Sequence, residues 1–244
     1  RSNLPEIIIL AGGPNIDPDP DNRKDFMKSH DYVDYFIIDG GEQPLSDFIH
    51  WWQNKNGDKS GLPNNFTWLE EDNVINTQNP RNTGKNITDI PSPYLNGYLD
   101  EFLQLGNVPL IETNRGCPFR CSFCTWGAAS KNIVRRFNLE TILKEVDYIG
   151  NMTRANNWII CDANFGMLPR DIEIAKAIRH FKDTTGYPNK IHLYLAKNVT
   201  ARNLEIADIL GDMIYPVMSL QSMEPEVLKN IKRDNISLDT YVQY

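Results

Sequence analysis

From Val108 to Leu220 the sequence alternates short β-branched or aromatic runs with longer amphipathic ones, and no other feature narrows the possible folds as much. Val108 to Thr113, Trp158 to Cys161, Ile191 to Leu195 and Tyr215 to Leu220 read as strands. Leu139 to Met152, Asp171 to Thr184 and Thr200 to Leu210 read as the helices between them. Such alternation builds a parallel sheet through right-handed crossovers, and successive units curl toward a β/α barrel. The strands present are too few to close one. The expectation is therefore the first four βα units of a partial TIM-like barrel, with reactive groups at the C-terminal ends of the strands.

The chain ahead of this region reads as the closing part of an open, Rossmann-like α/β sheet. Glu6-Ile7-Ile8-Ile9-Leu10 is stopped by Ala11-Gly12-Gly13-Pro14, and Asp34 to Asp39 ends in Gly40-Gly41, both in the manner of buried parallel strands. Pro44 then opens an amphipathic segment with Leu45, Phe48, Ile49 and Trp52 on one face. Phe66 to Leu69 and Val74 to Thr77 flank Glu71-Asp72-Asn73 as a hairpin. Gln78 to Pro93 is polar and punctuated by Pro80, Gly84, Pro91 and Pro93, the composition of a surface linker. The domains expected are residues 1–77, a linker at 78–106, and 107–244. A start at Arg1 and a stop at Tyr244 within an apparent helix suggest a piece of a longer protein.

Lys and Arg total 25 against 32 Asp and Glu, a net charge of −7, which lacks the basic excess of a nucleic-acid or anionic-membrane binder. A small-molecule partner is expected instead. No stretch approaches the roughly 20 apolar residues of a membrane span, and Arg1-Ser2-Asn3-Leu4-Pro5 lacks the apolar core of a signal peptide. No membrane association and a cytoplasmic location are the expectation.

Cys117, Cys121 and Cys124 stand directly after the first strand of the alternating region, with three and then two residues between them. Clustered thiols in a reducing compartment point to a soft metal, and Gly116 with Pro118 allows a tight wrap around a bulky group. A structural zinc site needs four ligands, and the nearest following candidate is the distant Cys161. An electron-transfer 4Fe-4S site also uses four cysteines, so three at this spacing imply an iron open to an exogenous ligand. A structural, non-catalytic metal module stays open as the alternative.

The Cys-x3-Cys-x2-Cys loop, with Phe123 before its last cysteine and a barrel strand before its first, resembles that of the radical S-adenosylmethionine superfamily. The resemblance implies an enzyme in which Cys117, Cys121 and Cys124 hold a 4Fe-4S cluster. S-adenosylmethionine would dock on the open iron through its amino and carboxylate groups and be cleaved reductively to a 5'-deoxyadenosyl radical. The electron would come from a donor such as flavodoxin or ferredoxin. The glycine turns before the linker look like the end of a cobalamin-binding domain, as in the cobalamin-dependent branch of the superfamily. Gly12, Gly13, Gly40, Gly41 and Glu42 are the positions carried over as cobalamin-binding. Two parts of that pattern are missing: an Asp-x-His-x-x-Gly ligand motif, and a full Gly-Glu-Gly-Glu turn, present only as Gly40-Gly41-Glu42-Gln43.

The same resemblance implies S-adenosylmethionine contacts from Phe123, from Asp162 and Asn164 after the second strand, from Lys197 after the third, and from Ser219, Gln221, Ser222 and Arg233 around the fourth. Asp162 and Asn164 would accept hydrogen bonds from the methionyl ammonium. Cys161 is expected in the core, Arg115 and Arg120 either offset cluster charge or face solvent, and the four histidines show no metal-ligand spacing. The reaction expected is methyl transfer to an unactivated carbon through cobalamin. Ring formation or methylthio transfer by the same radical chemistry is the alternative.

Overall fold

The computed structural model describes residues 6–13, 15–17, 19–55, 61–78, 87–127, 133–196, 201–215 and 220–235. They divide into two compact units, Arg1–Lys85 and Asn86–Tyr244.

In the first unit β1 (Leu10–Ala11), β2 (Tyr35–Ile37), β3 (Phe66–Glu70) and β4 (Asn73–Asn76) form one sheet in chain order. β1 and β2 run parallel, and the other pairs are antiparallel. The expected hairpin turns at Glu71 and Asp72, both left-handed at φ 45° and 68°, the backbone a two-residue hairpin with correct strand twist requires. Helix α1 (Pro20–Ser29) was not anticipated, although its start carries a signal: the Asp19 side chain accepts from the Asp21 N–H, and Pro20 opens the first turn. Helix α2 (Glu42–Lys55) forms over the amphipathic segment with a shifted buried face. Phe48 and Trp51 are buried against Tyr35, Phe66 and Trp68, whereas Leu45, Ile49 and Trp52 are exposed. Only the side of the helix that meets the aromatic face of the sheet finds a partner within this unit.

In the second unit β5 (Leu110–Ile111), β8 (Asn157–Ile160) and β9 (Lys190–His192) form a parallel sheet in the order β5-β8-β9. The helices α4 (Leu139–Met152), α5 (Asp171–Thr185) and α6 (Ala201–Leu210) lie close to the expected spans. Asn138 caps α4 by accepting from the Glu140 N–H, and the left-handed Gly186 ends α5. Ile111, Trp158, Ile160 and Ile191 from the sheet pack with Ile142, Val146 and Ile149 of α4, Ile174 and Ile178 of α5, and Ile206 and Leu210 of α6. Each such side chain, fully buried, contributes roughly 1.5–3 kcal/mol. The fourth expected strand falls largely on residues 216–219, outside the described residues.

The first expected strand, Val108 to Thr113, shortens to β5, and the chain then starts an unexpected ribbon. β6 (Asn114–Arg115) pairs antiparallel with β7 (Arg135–Arg136). Residues 87–106, read as part of the linker, carry a short 3-10 turn and α3 (Asp100–Gln104) and bury Tyr94 and Leu103 in the core of the second unit. The Tyr94 hydroxyl donates to the Leu110 carbonyl at 2.9 Å and accepts from its N–H at 3.0 Å, which satisfies β5 at its open edge. A short helix α7 (Pro225–Asn230) follows later.

Candidate functional site

The site is built from the ends of β5 and β8. After Ile160 the chain leaves the sheet for a turn and rejoins it at Phe165, which pairs with Leu195. Asp162, in that turn, is buried at 1% exposure, and all of its acceptor capacity is directed at the start of the cysteine loop. Its Oδ1 accepts from the Thr113 N–H at 2.7 Å and the Asn114 N–H at 3.1 Å. Its Oδ2 accepts from the Thr113 hydroxyl and, at 2.6 Å, from Asn114 Nδ2. Burial pushes this carboxyl up to about 6, against the opposing pull of the Thr113 and Asn114 donors. Four protein donors surround the Asp162 carboxylate, so it latches the two strand ends together.

Arg170 adds a second strut. It donates through Nη2 to the Thr113 carbonyl at 2.6 Å and through Nη1 to the Phe137 carbonyl, and the Phe137 N–H in turn donates to Thr113 at 3.1 Å. Nothing in a sequence links residues 113, 137 and 170, so Thr113, Asn114 and Arg170 escaped the sequence reading. Arg115 is held by Glu112, with Nε 2.9 Å from each carboxylate oxygen, and lies 5.7 Å from the centroid of the Phe137 ring. Arg120 faces solvent.

From this anchored entry the loop turns at Gly116, in the left-handed region at φ 99°, and curls on itself. The Cys124 N–H donates to the Cys121 carbonyl at 3.1 Å, and the Gly127 N–H to the Cys124 carbonyl at 2.8 Å. A Cβ on Gly127 would stand 2.2 Å from the Cys121 carbonyl oxygen, so the wrap exists only because that position lacks a side chain. The Ser122 N–H donates to the Ile231 carbonyl at 3.0 Å, which fastens the loop to the chain just after α7.

All three cysteines carry free thiols; Cys117 and Cys121 are buried and Cys124 is half-buried. Among the described residues no three His, Cys, Asp or Glu side chains converge closely enough to hold one metal ion. Asn164 donates from Nδ2 to Cys117 Sγ at 3.1 Å, and its Oδ1 is buried without a partner among the described residues. An orphaned buried acceptor beside a thiol is what a cationic ligand group would satisfy.

The remaining expected contacts are placed as follows. Phe123 is 54% exposed on the loop. Gln221 is exposed, and the Ser222 hydroxyl accepts from the Glu224 N–H at 3.1 Å as a turn cap. Arg233 is buried, not a solvated helix charge; it donates from Nε to Asn235 Oδ1 at 3.2 Å, and Asn235 Nδ2 donates to the Ser222 carbonyl at 2.7 Å. Through Ile231 this group stands beside the cysteine loop. Lys197 and Ser219 lie outside the described residues. Cys161 corrects its expectation of a core position: the strand ends at Ile160, and the thiol one step on is exposed.

In the first unit Gly12-Gly13 follow β1 and Gly40-Gly41 follow β2, so the parallel pair brings both glycine turns to one sheet edge. Gly41 has no neighbour within 4 Å of a would-be Cβ, and Gly12 would make only an ordinary contact with Ile37 at 3.5 Å. The fold itself demands glycine only at Gly13, left-handed at φ 105°. Bare backbone at the other positions leaves the edge open to close approach, at the strand ends where α/β sheets bind ligands. Asp39, at φ 66°, is a strained non-glycine residue on the same edge, and Glu42 begins α2 there.

Comparison with known proteins gives the family and the fold. Residues 111–243 match the model of the Radical SAM superfamily. The chain is 32% identical over 250 aligned residues to the cobalamin-dependent radical SAM methyltransferase TokK of Streptomyces tokunonensis, covering 99% of this chain and 36% of that protein. It is equally 32% identical, with the same coverage, to the 2-(S-pantetheinyl)-carbapenam-3-carboxylate methyltransferase of Streptantibioticus cattleyicolor. The chain thus spans about a third of the length of these relatives. Among solved structures it matches the radical S-adenosylmethionine methyltransferase TsrM from Kitasatospora setae, with TM-score 0.69 and 15% identity over 99% of this chain and 47% of that one. That likeness extends the mixed α/β fold across both units. No helix among the described residues is long and apolar enough to cross a membrane. The strand-end cysteine loop and the match that begins at the strand before it lead to one assignment: the chain belongs to the Radical SAM superfamily.

Proposed function

We propose that this chain is the cobalamin-linked core of a radical S-adenosylmethionine enzyme that transfers a methyl group to an unactivated carbon of a small molecule. Cys117, Cys121 and Cys124 would hold a 4Fe-4S cluster, and their sulfurs, two of them buried, suit a soft iron-sulfur body. When bound, the cluster supplies an electron for cleavage of the sulfonium cofactor, and cobalamin supplies a methyl carrier. The protein's own work is positioning and exclusion of water. The Asp162 latch and the Arg170 strut fix where the loop begins, Gly127 lets it close, and Ile231 holds its outer turn. Asn164 Oδ1 offers an acceptor to the methionyl ammonium, and Phe123, Gln221, Ser222 and Arg233 would supply further contacts to the sulfonium cofactor.

The three-stranded parallel sheet would be part of the barrel wall, with the first unit as the end of a cobalamin-binding domain. Gly12, Gly13, Gly40, Gly41 and Glu42 would then meet the corrinoid or its nucleotide tail. The name of one relative prints a carbapenam carboxylate, and we extend to this chain only the class, a small organic substrate. A protein electron donor such as flavodoxin or ferredoxin completes the scheme.

One observation carries the reading: three free thiols, two of them buried, stand on one strand-end loop inside the stretch that matches the Radical SAM superfamily. The test is anaerobic reconstitution with iron and sulfide, followed by an assay for 5'-deoxyadenosine and for methylated product under reductant. Replacing any one of Cys117, Cys121 and Cys124 by Ala should abolish cluster-dependent cleavage. Zinc in place of iron, or unchanged cleavage in those variants, would overturn the reading.

A further inference from the structure

Cys117 and Asn164 are 47 positions apart, yet Asn164 Nδ2 stands 3.1 Å from Cys117 Sγ, with the two residues 0% and 1% exposed. We propose that Asn164 is a positioning residue that sets the reduction potential of the cluster by donating a hydrogen bond to its Cys117 ligand. This rests on the reading that Cys117 ligates the cluster.

The chain on either side of Asn164 is held. Two residues before it, the Asp162 carboxylate is pinned by Thr113 and Asn114. One residue after it, the Phe165 N–H donates to Tyr194 and the Phe165 carbonyl accepts from the Ala196 N–H, each at 2.8 Å. The backbone that carries Asn164 is therefore fixed, and its side chain is fully buried. Its orientation is also chemically determined, because a ligating thiolate accepts hydrogen bonds and repels a carbonyl oxygen, so the NH2 end faces sulfur and Oδ1 is left for a donor. A donor on a ligand sulfur withdraws charge from the cluster and favours the reduced, more negative state, and hydrogen bonding to sulfur is one of the levers that sets such potentials. Burial strengthens the effect, since no water competes for the sulfur. One side chain thus touches the electron source on one end and offers an acceptor to the sulfonium cofactor on the other.

The experiment is a redox titration of the reconstituted protein, followed by EPR of the reduced cluster, in the wild type, Asn164→Leu and Asn164→Asp. Leu keeps the branched shape and the number of heavy atoms and removes the donor, so iron per chain should be retained while the midpoint moves to more negative potential. Asp replaces the donor with a negative oxygen, and the shift should be larger in the same direction. An iron-loaded variant that titrates at the wild-type midpoint would overturn the proposal. If neither variant holds iron, wild-type protein with 15N in its asparagine side chains decides the matter: a 15N coupling on the reduced cluster is expected, and its absence sinks the idea. A wild type that forms no four-iron cluster overturns the functional reading instead, and is distinguishable from a cluster that forms and ignores Asn164.

Discussion

Gly127→Ala tests how the cysteine loop is seated. The new Cβ would lie 2.2 Å from the Cys121 carbonyl oxygen, 3.0 Å from its nitrogen and 3.1 Å from its carbonyl carbon. These are backbone atoms, so no side-chain rotation relieves the clash, and reaching an ordinary carbon-oxygen separation of about 3.3 Å requires the loop to give by ~1 Å. Metal-ligand distances tolerate only about 0.2 Å, so the displacement is several times what a seated ligand allows. Overpacking of this kind costs roughly 1–3 kcal/mol. The core is formed by residues of the sheet and helices, so the cost should fall on the seating of Cys121 and leave the fold intact. At about 1.4 kcal/mol per tenfold, cluster retention should drop by ~5–150-fold. The assay is iron and sulfide per chain after reconstitution, together with the rate of cluster loss to a chelator, with circular dichroism to confirm folding. Gly41→Ala, which meets nothing within 4 Å, serves as the control and should keep wild-type iron. If Gly127→Ala retained iron and lost it to chelator at the wild-type rate, the close approach of Gly127 to Cys121 would have no part in holding the loop.

Gly150→Ala places a Cβ 2.5–2.6 Å from the Phe181 ring where α4 crosses α5, and urea unfolding should show a loss of roughly 1–3 kcal/mol with iron content per folded chain unchanged. Glu145 is buried on α4, and burial holds its carboxyl above the usual range despite a hydrogen bond with Ser92. The folded chain therefore binds the proton more tightly than the unfolded one, and this group's contribution to stability falls as pH rises from the ordinary carboxylate range through the raised folded value. Glu145→Gln should be more stable than wild type at neutral pH, and the gap should close on acidification to about pH 4, as measured by unfolding at several pH values.

The helices were legible because their apolar period and caps are local. Leu139 to Met152 was predicted with both of its ends, and Asp171 to Thr184 differs from the observed helix by a single residue. The hairpin was legible for the same reason, since the left-handed turn at Glu71 and Asp72 needs only its own residues. Helix α1 was missed because its mean hydropathy is low and its start signal, Asp19-Pro20, sits in a run of Asp and Pro that reads as loop. On α2 the sequence places Leu45, Phe48, Ile49 and Trp52 on one apolar face, and of these only Phe48 is buried, with Trp51 beside it against the aromatic sheet surface. A periodic pattern shows that a helix has an apolar side without showing how far around that side the neighbour reaches.

The sequence alone determined the chemistry on offer: three thiols at a fixed spacing after a strand, with no fourth to complete an ordinary site. Spacing within one loop is a local property, and metal preference follows from the donor atoms. Tertiary structure decided what surrounds those thiols. Asp162 and Asn164 look interchangeable as polar residues at a strand end, yet four donors from Thr113 and Asn114 occupy the first, while the second reaches a cysteine sulfur and keeps an open acceptor. That division depends on which strand lies beside which, and the contacts that settle it join residues nearly fifty positions apart, beyond anything a local pattern encodes.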